Sequence, residues 1–367
     1  MSDIRAAIVG TGFMARVHAE ALARIGVPVL GVVGSSPERV AAARLGRPVY
    51  DSFDDLLDDD RVDAVHICSP NHLHHEQALA ALHAGKHVVC EKPLAMTPAQ
   101  AHQLRDTAEE FGLVNAVCFV NRFYPHCQEA AAKVCSGLLG SVRLVTGSYL
   151  QDWLAKDTDW NWRLDPALGG SLRAVADIGS HWLDLVSFVS GQRVESVMAD
   201  LTTMIPTRLR PTESVETFAE SASLGEPVAV TTEDTAGVLL RFDGGARGVL
   251  TVSQVSPGRK NHLAFEVSGS AASLGWGSEN PEQLWTGHRD DPNQVHLRAA
   301  GDYPAGHAQG YPDTFKALFR AVYDAIGVGH ASGTPDYPTF HDGYEQMLVG
   351  DAISESARLG QWVSVQR

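Results

Sequence analysis

The sequence predicts an α/β protein in which a doubly wound parallel sheet is followed by a second α/β domain with an open, mostly antiparallel sheet. Three observations support this prediction. Apolar runs alternate with helical patterns as far as Val120, strand patterns dominate the later half, and a glycine-containing turn joins the first strand to the first helix. Regular alternation of strand and helix is typical of parallel sheets with helices on both faces. We expect the boundary near 122–125, which gives domains over residues 1–123 and 124–367.

The elements of the first domain follow from apolar runs separated by turn residues. The run from Ile4 to Val9 predicts the first strand, and the pattern up to Ile25 predicts the first helix. Thr97 stands where its side-chain oxygen can cap the last helix of this domain. The other predicted strands cover 29–33, 63–69, 87–90 and 114–120, and the other predicted helices cover 77–84 and 97–111.

The second domain is predicted to contain one early helix, over 126–138, and then mainly strands. The run Asp243-Gly244-Gly245 predicts a hairpin turn, and the polar stretch 207–233 is expected to be a mobile excursion. Helices should cover one face of the sheet and leave the other for pairing with a second subunit. The predicted strands cover 142–150, 194–201, 236–242, 248–255 and 262–269.

Composition narrows the possible partners and compartment. A formal net charge of −15 argues against a nucleic-acid or acidic-membrane partner. No apolar run reaches the roughly 18 residues of a membrane span, and residues 1–5 lack the pattern of a signal peptide. The five cysteines have no metal-ligand spacing, and Cys68, Cys90 and Cys118, which end apolar runs, are expected to be reduced and buried at strand ends. We therefore expect a cytoplasmic protein.

The most informative motif is Gly10-Thr11-Gly12-Phe13-Met14-Ala15, between the first strand and the first helix. Gly10 permits the tight turn, Gly12 lets a pyrophosphate approach the backbone, and Ala15 lets the helix pack closely on the sheet. The N–H groups at the helix start would face the phosphates. An ordinary tight turn is the alternative. The residues expected to contact a dinucleotide are Gly10, Thr11, Gly12, Phe13 and Met14.

Two polar clusters directly follow predicted strands, where ligands bind in doubly wound sheets. The first is Ser69-Pro70-Asn71-His72-Leu73-His74-His75, and the second is Cys90-Glu91-Lys92-Pro93. The histidines lack a supporting set of carboxylate or cysteine ligands, so we expect no metal there, and at least one histidine should lie on the surface. Lys92 could stabilise an alkoxide or polarise a carbonyl. Alternatively, Lys92 has no role at the reacting oxygen and simply forms an ion pair with Glu91.

The third cluster is Asp177-Ile178-Gly179-Ser180-His181-Trp182-Leu183-Asp184. On a helix, Asp177, His181 and Asp184 would share one face. A carboxylate beside His181 would favour the imidazolium and orient the ring, giving a general acid or base. A helix-capping aspartate with a structural histidine, or a metal site, are alternatives. Before this cluster, Trp162 and Arg163 supply the aromatic and polar groups that sugar sites use.

These clusters and their order resemble the Gfo/Idh/MocA family of oxidoreductases. The resemblance implies a Rossmann domain, a C-terminal α/β domain with an open sheet, and assembly as a homodimer or homotetramer through that sheet. It also implies NAD or NADP as cofactor and sugars, cyclitols or related polyols as substrates. By motif, Lys92 would act at the reacting oxygen, His181 would be the acid or base, and Asp177 its partner. Asn71 and His74 would lie near the nicotinamide, and Arg122 near the substrate.

The end of the second strand bears on the choice of cofactor. NAD enzymes usually place an acidic residue there to bind the ribose hydroxyls. Here Ser35 and Ser36 could instead donate to a 2′-phosphate, and Arg39 could pair with it. We therefore favour NADP over NAD. Alternatively, Arg39 lies on a solvated helix face and the pocket accepts NAD.

The expected reaction is reversible hydride transfer between the cofactor and a secondary hydroxyl, with His181 moving the proton and Lys92 stabilising the oxygen. Two other functions use the same residues differently. Transient sugar oxidation followed by elimination would make the chain a redox-neutral lyase or glycosidase. A dinucleotide-binding regulator would not need the acid/base pair Asp177 and His181.

Overall fold

A computed structural model describes residues 4–36, 39, 43, 45–212, 225–297, 302–304, 307–329 and 335–367. The chain forms two compact units. The first combines Met1–Val120 with Pro312–Met347, and the second combines Asn121–Tyr311 with Leu348–Arg367.

The first unit is built on a five-stranded sheet in which every pair of neighbouring strands is parallel. Its strand order is β2-β1-β3-β4-β5. The central strands are buried along their whole length, as expected where helices cover both faces. The predicted doubly wound sheet is confirmed. The strands are β1 (Ala6–Val9), β2 (Val29–Val33), β3 (Ala64–Ile67), β4 (His87–Cys90) and β5 (Asn115–Val117).

The helices of the first unit begin where their sequences offer a start signal. Thr97 caps one of them, because its hydroxyl oxygen accepts from the Gln100 N–H at 3.3 Å. The helix predicted over 77–84 starts earlier, at Asn71, because histidines in its first turns interrupt the apolar pattern. The helices are α1 (Phe13–Arg24), α2 (Phe53–Leu57), α3 (Asn71–His83) and α4 (Pro98–Glu110).

A later helix, Tyr311–Val328, also belongs largely to the first unit. A single boundary at residue 123 would assign this helix to the second domain. Its side chains Phe315, Phe319 and Tyr323 are buried. They pack around His18 and His66 of the first unit. The sequence pattern reveals that this helix has an apolar face but does not reveal which sheet that face covers.

The second unit contains a nine-stranded sheet of order β15-β14-β13-β12-β6-β11-β10-β7-β16. Among the described strands of this sheet only β6 and β11 pair in parallel, so the predicted mostly antiparallel sheet is confirmed. Its strands are β6 (Val142–Leu150), β7 (Val194–Thr202), β10 (Thr235–Phe242), β11 (Arg247–Ser253), β12 (His262–Gly269), β13 (Ala272–Gly277), β14 (Gln283–His288), β15 (Gln294–Leu297) and β16 (Val363–Ser364).

The predicted excursion over 207–233 begins and ends in an antiparallel ladder of β8 (Thr207–Arg210) and β9 (Glu226–Ala229). Residues 213–224 of that excursion lie outside the described residues. Within the described parts of the chain, no helix is both long and apolar enough to cross a membrane.

The helices of the second unit cover one face of its large sheet. Trp182 is fully buried, and its indole N–H donates to the Ala264 carbonyl at 2.9 Å. Gly147 permits this approach, since a Cβ there would lie 2.5 Å from the indole nitrogen. These helices are α5 (Pro125–Cys135), α6 (Pro166–Gly169), a π-helical turn (Val175–Gly179) and α7 (Ser180–Ser190). The two last helices of the chain are α8 (Tyr311–Val328) and α9 (Phe340–Leu359).

Candidate active site

The glycine turn after β1 has the shape that a dinucleotide requires. Gly10 has φ +117°, and a Cβ there would lie 2.6 Å from the Cys68 carbonyl oxygen, so only glycine fits. Gly12 is the N-cap of α1, and no described atom lies within 4 Å of where its Cβ would stand. Space therefore remains beside the first turn of a helix, where backbone N–H groups favour phosphate. The local geometry fits a bound pyrophosphate.

The serines at the end of β2 form a local turn. The Ser36 hydroxyl oxygen accepts from the Arg39 N–H at 3.3 Å, and Arg39 is exposed. Residues 37, 38 and 40–42 lie outside the described residues. Ser35, Ser36 and Arg39 are therefore near one another at the strand end where a ribose is expected.

The cluster after β3 is tied to the cluster after β4 by His74. Its Nδ1 lies 2.7 Å from the Pro93 carbonyl oxygen and its Nε2 lies 2.9 Å from the Ser69 carbonyl oxygen. Burial lowers the pKa of His74, although the two carbonyls oppose this shift. A neutral ring can donate to only one of them. The Lys92–Pro93 peptide is cis, and Lys92 itself is half-buried. His74 thus supports the backbone next to Lys92.

The other residues of the first cluster differ in exposure. Asn71 is buried at the start of α3. The Ser69 hydroxyl donates to the Gln77 side-chain oxygen at 2.6 Å. His72 and His75 are partly exposed, and His75 Nε2 lies 2.9 Å from the Gln103 side-chain oxygen.

Glu91 ends a chain of buried polar side chains within the first unit. The Tyr323 hydroxyl lies 2.9 Å from His66 Nε2, the two histidine Nδ1 atoms lie 3.0 Å apart, and His18 Nε2 lies 3.1 Å from Glu91 Oε1. Burial, followed by the neighbouring His18, holds the pKa of His66 well below its usual value. A carboxylate can only accept, so Tyr323 donates to His66, His66 to His18, and His18 to Glu91. When both histidine rings are neutral, each of their four nitrogens has a hydrogen-bond partner in this series of side chains.

The same region contains a group of potential metal ligands among the described residues. Ligand atoms of His18, Glu91 and Cys118 all lie within 4.8 Å of one another. Burial, followed by the charge of Glu91, raises the pKa of the Cys118 thiol well above its usual value, which disfavours the thiolate that binds metals. Hydrogen bonding accounts for the closeness of His18 and Glu91. The absence of a metal site stays a prediction.

Asp177 lies inside the π-helical turn before α7, a type of turn that is common at functional sites. Its Oδ1 lies 3.2 Å from Arg163 Nε, and its Oδ2 accepts from Gln254 Nε2 at 2.8 Å. The Arg163 guanidinium in turn lies 4.4 Å from the centre of the Trp162 ring. Because both carboxylate oxygens have these partners and the N-cap of α7 is Gly179, Asp177 does not cap the helix.

His181 follows Asp177 by one turn and is half-buried. Its ring lies 6.3 Å from that of Tyr149, centre to centre. Burial holds the pKa of Tyr149 far above its usual range, so its hydroxyl stays protonated and donates to Asn261 Oδ1 at 2.7 Å. His181 therefore has an aromatic neighbour and an acidic residue one turn away.

Asp184 follows His181 by three residues on α7 and forms an ion pair of its own. Asp184 is buried, and its two oxygens accept from Arg122 at 2.8 and 2.5 Å. This bidentate pair fixes the Arg122 guanidinium within the second unit.

Sequence reasoning missed Gln254, which directly follows β11 and is fully buried. A polar residue inside the apolar run predicted as a strand over 248–255 is the signal that could have indicated it. The sequence gives no signal that Gln254 contacts Asp177, because the two residues are 77 positions apart.

Two protein-family models match the chain. The model described as an oxidoreductase family with an NAD-binding Rossmann fold matches residues 4–119. The model described as the GFO/IDH/MocA C-terminal domain matches residues 127–275. Together these matches span most of the chain.

Individual relatives match over the whole chain. Levoglucosan dehydrogenase of Pseudarthrobacter phenanthrenivorans is 29% identical over 394 residues, covering 100% of this chain and 99% of that protein. An oxidoreductase domain protein from Kribbella flavida is 31% identical in structure-based comparison, with a TM-score of 0.90 and 100% of both chains covered. A levoglucosan dehydrogenase in complex with NADH and levoglucosan has a TM-score of 0.88 at 29% identity, with 99% of each chain covered.

Proposed function

Because this chain belongs to the Gfo/Idh/MocA family of oxidoreductases with an NAD-binding Rossmann domain, we propose that it transfers a hydride between a nicotinamide dinucleotide and a secondary hydroxyl of a sugar or cyclitol. The observation that carries the proposal is the placement of Asp177. Its carboxylate is bound on both oxygens, one helical turn before His181. A carboxylate held near an imidazole favours the imidazolium and orients the ring, so that the histidine can act as a general acid or base. The levoglucosan dehydrogenase relatives support a sugar as substrate.

The proposed roles follow from side-chain chemistry. In the oxidative direction His181 takes the hydroxyl proton, while the Lys92 ammonium stabilises the negative charge that develops on the oxygen. Asp177 stabilises the imidazolium that forms. The nicotinamide, when bound, accepts the hydride from the same carbon, which becomes a ketone. Trp162, Arg163 and Arg122 are proposed to line the substrate site, and Asn71 and His74 to lie near the nicotinamide.

For the cofactor, we propose NADP in preference to NAD. Ser35 and Ser36 follow β2 where many NAD enzymes have an acidic residue, so nothing acidic at these positions repels a 2′-phosphate. Arg39 is exposed and its N–H is bonded to Ser36, which keeps it close to the strand end. The NADH complex of the levoglucosan dehydrogenase relative supports NAD as the alternative.

We also propose that two or more copies assemble through the large sheet, in a reducing cytoplasm. Leu239 on β10 and Val249 on β11 are direct cross-strand neighbours, 46% and 41% exposed, and Leu144 on β6 is 41% exposed. Burying such side chains against an identical face would remove apolar surface from water. The cysteines are free thiols, and four of the five are buried.

A substrate panel tests the main proposal. Purified protein is incubated with NAD or NADP and with levoglucosan, glucosides, hexoses or inositols, and reduced nicotinamide is followed by absorbance. Oxidation of at least one polyol, lost in His181→Ala, is the expected result. Product formation without net cofactor turnover would instead identify a redox-neutral lyase or glycosidase. Dinucleotide binding without any turnover would identify a regulator.

A further inference from the structure

We propose that Gln254 is a positioning residue that presents its amide N–H₂ to Asp177 and that buried Arg173 fixes the orientation of this amide. The inference deepens the proposed function and rests on it for the role of Asp177. Gln254 Nε2 donates to Asp177 Oδ2 at 2.8 Å, and Arg173 Nη1 donates to Gln254 Oε1 at 3.1 Å. Gln254 and Arg173 are both buried, at 0% and 2% exposure.

The orientation of the Gln254 amide follows from donor and acceptor types alone. A guanidinium has only donors and a carboxylate only acceptors. Turning the amide over would place its N–H₂ against Arg173 and its oxygen against Asp177, so both contacts would become repulsive. Arg173 therefore selects the orientation in which Gln254 donates to Asp177.

Arg173 is itself held by a buried cluster. Its Nε donates to the Thr232 hydroxyl at 3.1 Å, and its guanidinium pairs with Asp234, which also accepts from Arg208 at 2.8 Å. Burial disfavours the charged form of Asp234, but the attraction of Arg173 and further hydrogen bonds outweigh it and lower its pKa. Asp234 thus stays ionised between two arginines, and the cluster holds Arg173 in one position.

The same cluster anchors the backbone that carries Asp177. The Glu233 carboxylate accepts from the Arg173 N–H at 2.9 Å and from the Val175 N–H at 2.9 Å. The Asp177 N–H donates to the Arg173 carbonyl at 2.7 Å. Arg173 therefore fixes both the π-helical turn and, through Gln254, the carboxylate on it.

The charged and titratable groups near Asp177 come from several elements. Arg163 contacts the opposite oxygen, Tyr149 lies near enough for the charge of Asp177 to influence its pKa, and Arg173 with Asp234 lies beyond Gln254. Gln254 differs from both arginines in being uncharged. A neutral donor fixes Asp177 without cancelling the negative charge that His181 needs nearby.

Gln254→Glu tests this inference, because its effect depends on pH. A protonated Glu side chain still accepts from Arg173 and donates to Asp177, as the amide does. An ionised Glu side chain repels Asp177. The ratio of kcat/KM of Gln254→Glu to that of the wild-type enzyme should therefore fall with rising pH, by about tenfold per pH unit above the pKa of the new carboxyl pair. Gln254→Met lacks both contacts and should be impaired at every pH.

A second readout does not depend on turnover. The imidazole titration of His181, followed by NMR in the NADPH-bound protein, should move to higher pH in Gln254→Glu because negative charge is added nearby. Ser356→Ala is the control. Ser356 is a buried residue of the second unit that bonds to Ala199 and Gln361, and its loss should leave the pH dependence unchanged.

The outcomes separate this inference from the proposed function. A pH-independent activity ratio together with an unchanged His181 titration in Gln254→Glu would overturn the positioning role. If the wild-type protein oxidises no polyol, the proposed function fails, and the NMR titration alone decides whether Gln254 acts on Asp177 and His181. If Gln254→Met has the same activity and the same His181 titration as the wild type, the hydrogen bonds from Arg173 through Gln254 to Asp177 have no role in catalysis.

Discussion

The Nε2 atom of His18 lies 3.1 Å from the Oε1 atom of Glu91, so the first helix after the glycine turn is bonded to the residue that precedes Lys92. The second oxygen of Glu91 accepts from the Lys92 backbone N–H at 3.2 Å. The side chains of His18 and Glu91 are both buried, at 0% and 8% exposure. Glu91 therefore links helix α1 to the backbone of Lys92. The contact of His74 with the Pro93 carbonyl oxygen supports the same stretch of backbone.

Replacing Glu91 should impair Lys92 without abolishing dinucleotide binding. Glu91→Ala leaves the buried His18 N–H without its acceptor, which should cost about 1–3 kcal/mol of stability. It also frees the Lys92 backbone, so kcat should fall by about tenfold or more, while the dissociation constant for NADPH, from fluorescence titration, changes little. Glu91→Gln keeps an acceptor for His18 and should recover most of both losses. Equal kcat values in Glu91→Ala and the wild type would contradict this linkage.

The proposed roles of His181 and Lys92 in turnover can each be tested kinetically. His181→Ala and Lys92→Ala should each lower turnover by about a hundredfold or more, the usual scale for a positioned proton-transfer or oxyanion-stabilising group. Thermal unfolding and cofactor titration should be nearly unchanged, because both residues are half-buried rather than part of the core. Near-normal turnover of His181→Ala at saturating substrate would remove His181 from the mechanism.

Several parts of the fold could be predicted because they depend on local pattern. The strands His87–Cys90, Val142–Leu150 and His262–Gly269 have the predicted bounds, since each is an apolar or alternating run between turn residues. The strands β13 to β15 were not predicted, because glycine and polar residues dilute their alternation. The pairing of β12 with β6, which joins this run of strands to the rest of the sheet, is a long-range property that local pattern does not encode.

The residues of the candidate site also fall into two groups, those that a local motif indicates and those that it does not. Asp177, His181 and Lys92 stand in short motifs, so sequence could indicate them. The hydrogen bond between Gln254 and Asp177 and the ion pair between Arg122 and Asp184 join residues that are 77 and 62 positions apart. A single sequence contains no information about such pairs. The motif around His181 contains Asp184 but does not indicate that this buried carboxylate pairs with Arg122.

Cofactor preference should depend on Arg39. If its guanidinium pairs with a 2′-phosphate, Arg39→Ala should raise the KM for NADP by about tenfold to a hundredfold and leave the KM for NAD nearly unchanged, because a charge-assisted contact is typically about 1.5–3 kcal/mol. Steady-state kinetics with both cofactors provides the measurement, and Arg47→Ala is the control at another arginine of the same unit. A strong wild-type preference for NAD that Arg39→Ala does not alter would show that the pocket does not bind a 2′-phosphate.

Activity should survive removal of divalent metals. The ligand group of His18, Glu91 and Cys118 is buried and hydrogen-bonded, and burial disfavours the Cys118 thiolate. Dialysis against EDTA and 1,10-phenanthroline should therefore leave kcat and the unfolding temperature unchanged. Loss of either property, with recovery on addition of zinc, would show that this group binds a metal.

Stability should decrease in mild acid because of buried histidines in the first unit. Burial holds the pKa of His66 well below its usual value, and it also lowers the pKa values of His74 and His87. The unfolded chain therefore binds more protons than the folded chain once the pH falls below the unfolded histidine pKa of about 6.5. The free energy of unfolding should be maximal above that pH and should fall below it, by at most about 1.4 kcal/mol per pH unit for each fully buried ring.

Urea denaturation between pH 5.0 and 7.5 measures this dependence. His66→Gln removes the most strongly shifted ring, so the variant should be less stable at pH 7.5 but should lose less stability on acidification than the wild type. His102→Asn changes an exposed ring and should retain the wild-type steepness. A protonated His66 still donates to His18 but can no longer accept from Tyr323, so its protonation disturbs the hydrogen-bond chain that ends at Glu91. Acid should therefore also lower kcat before global unfolding, and a kcat that stays constant until the protein unfolds would contradict this coupling.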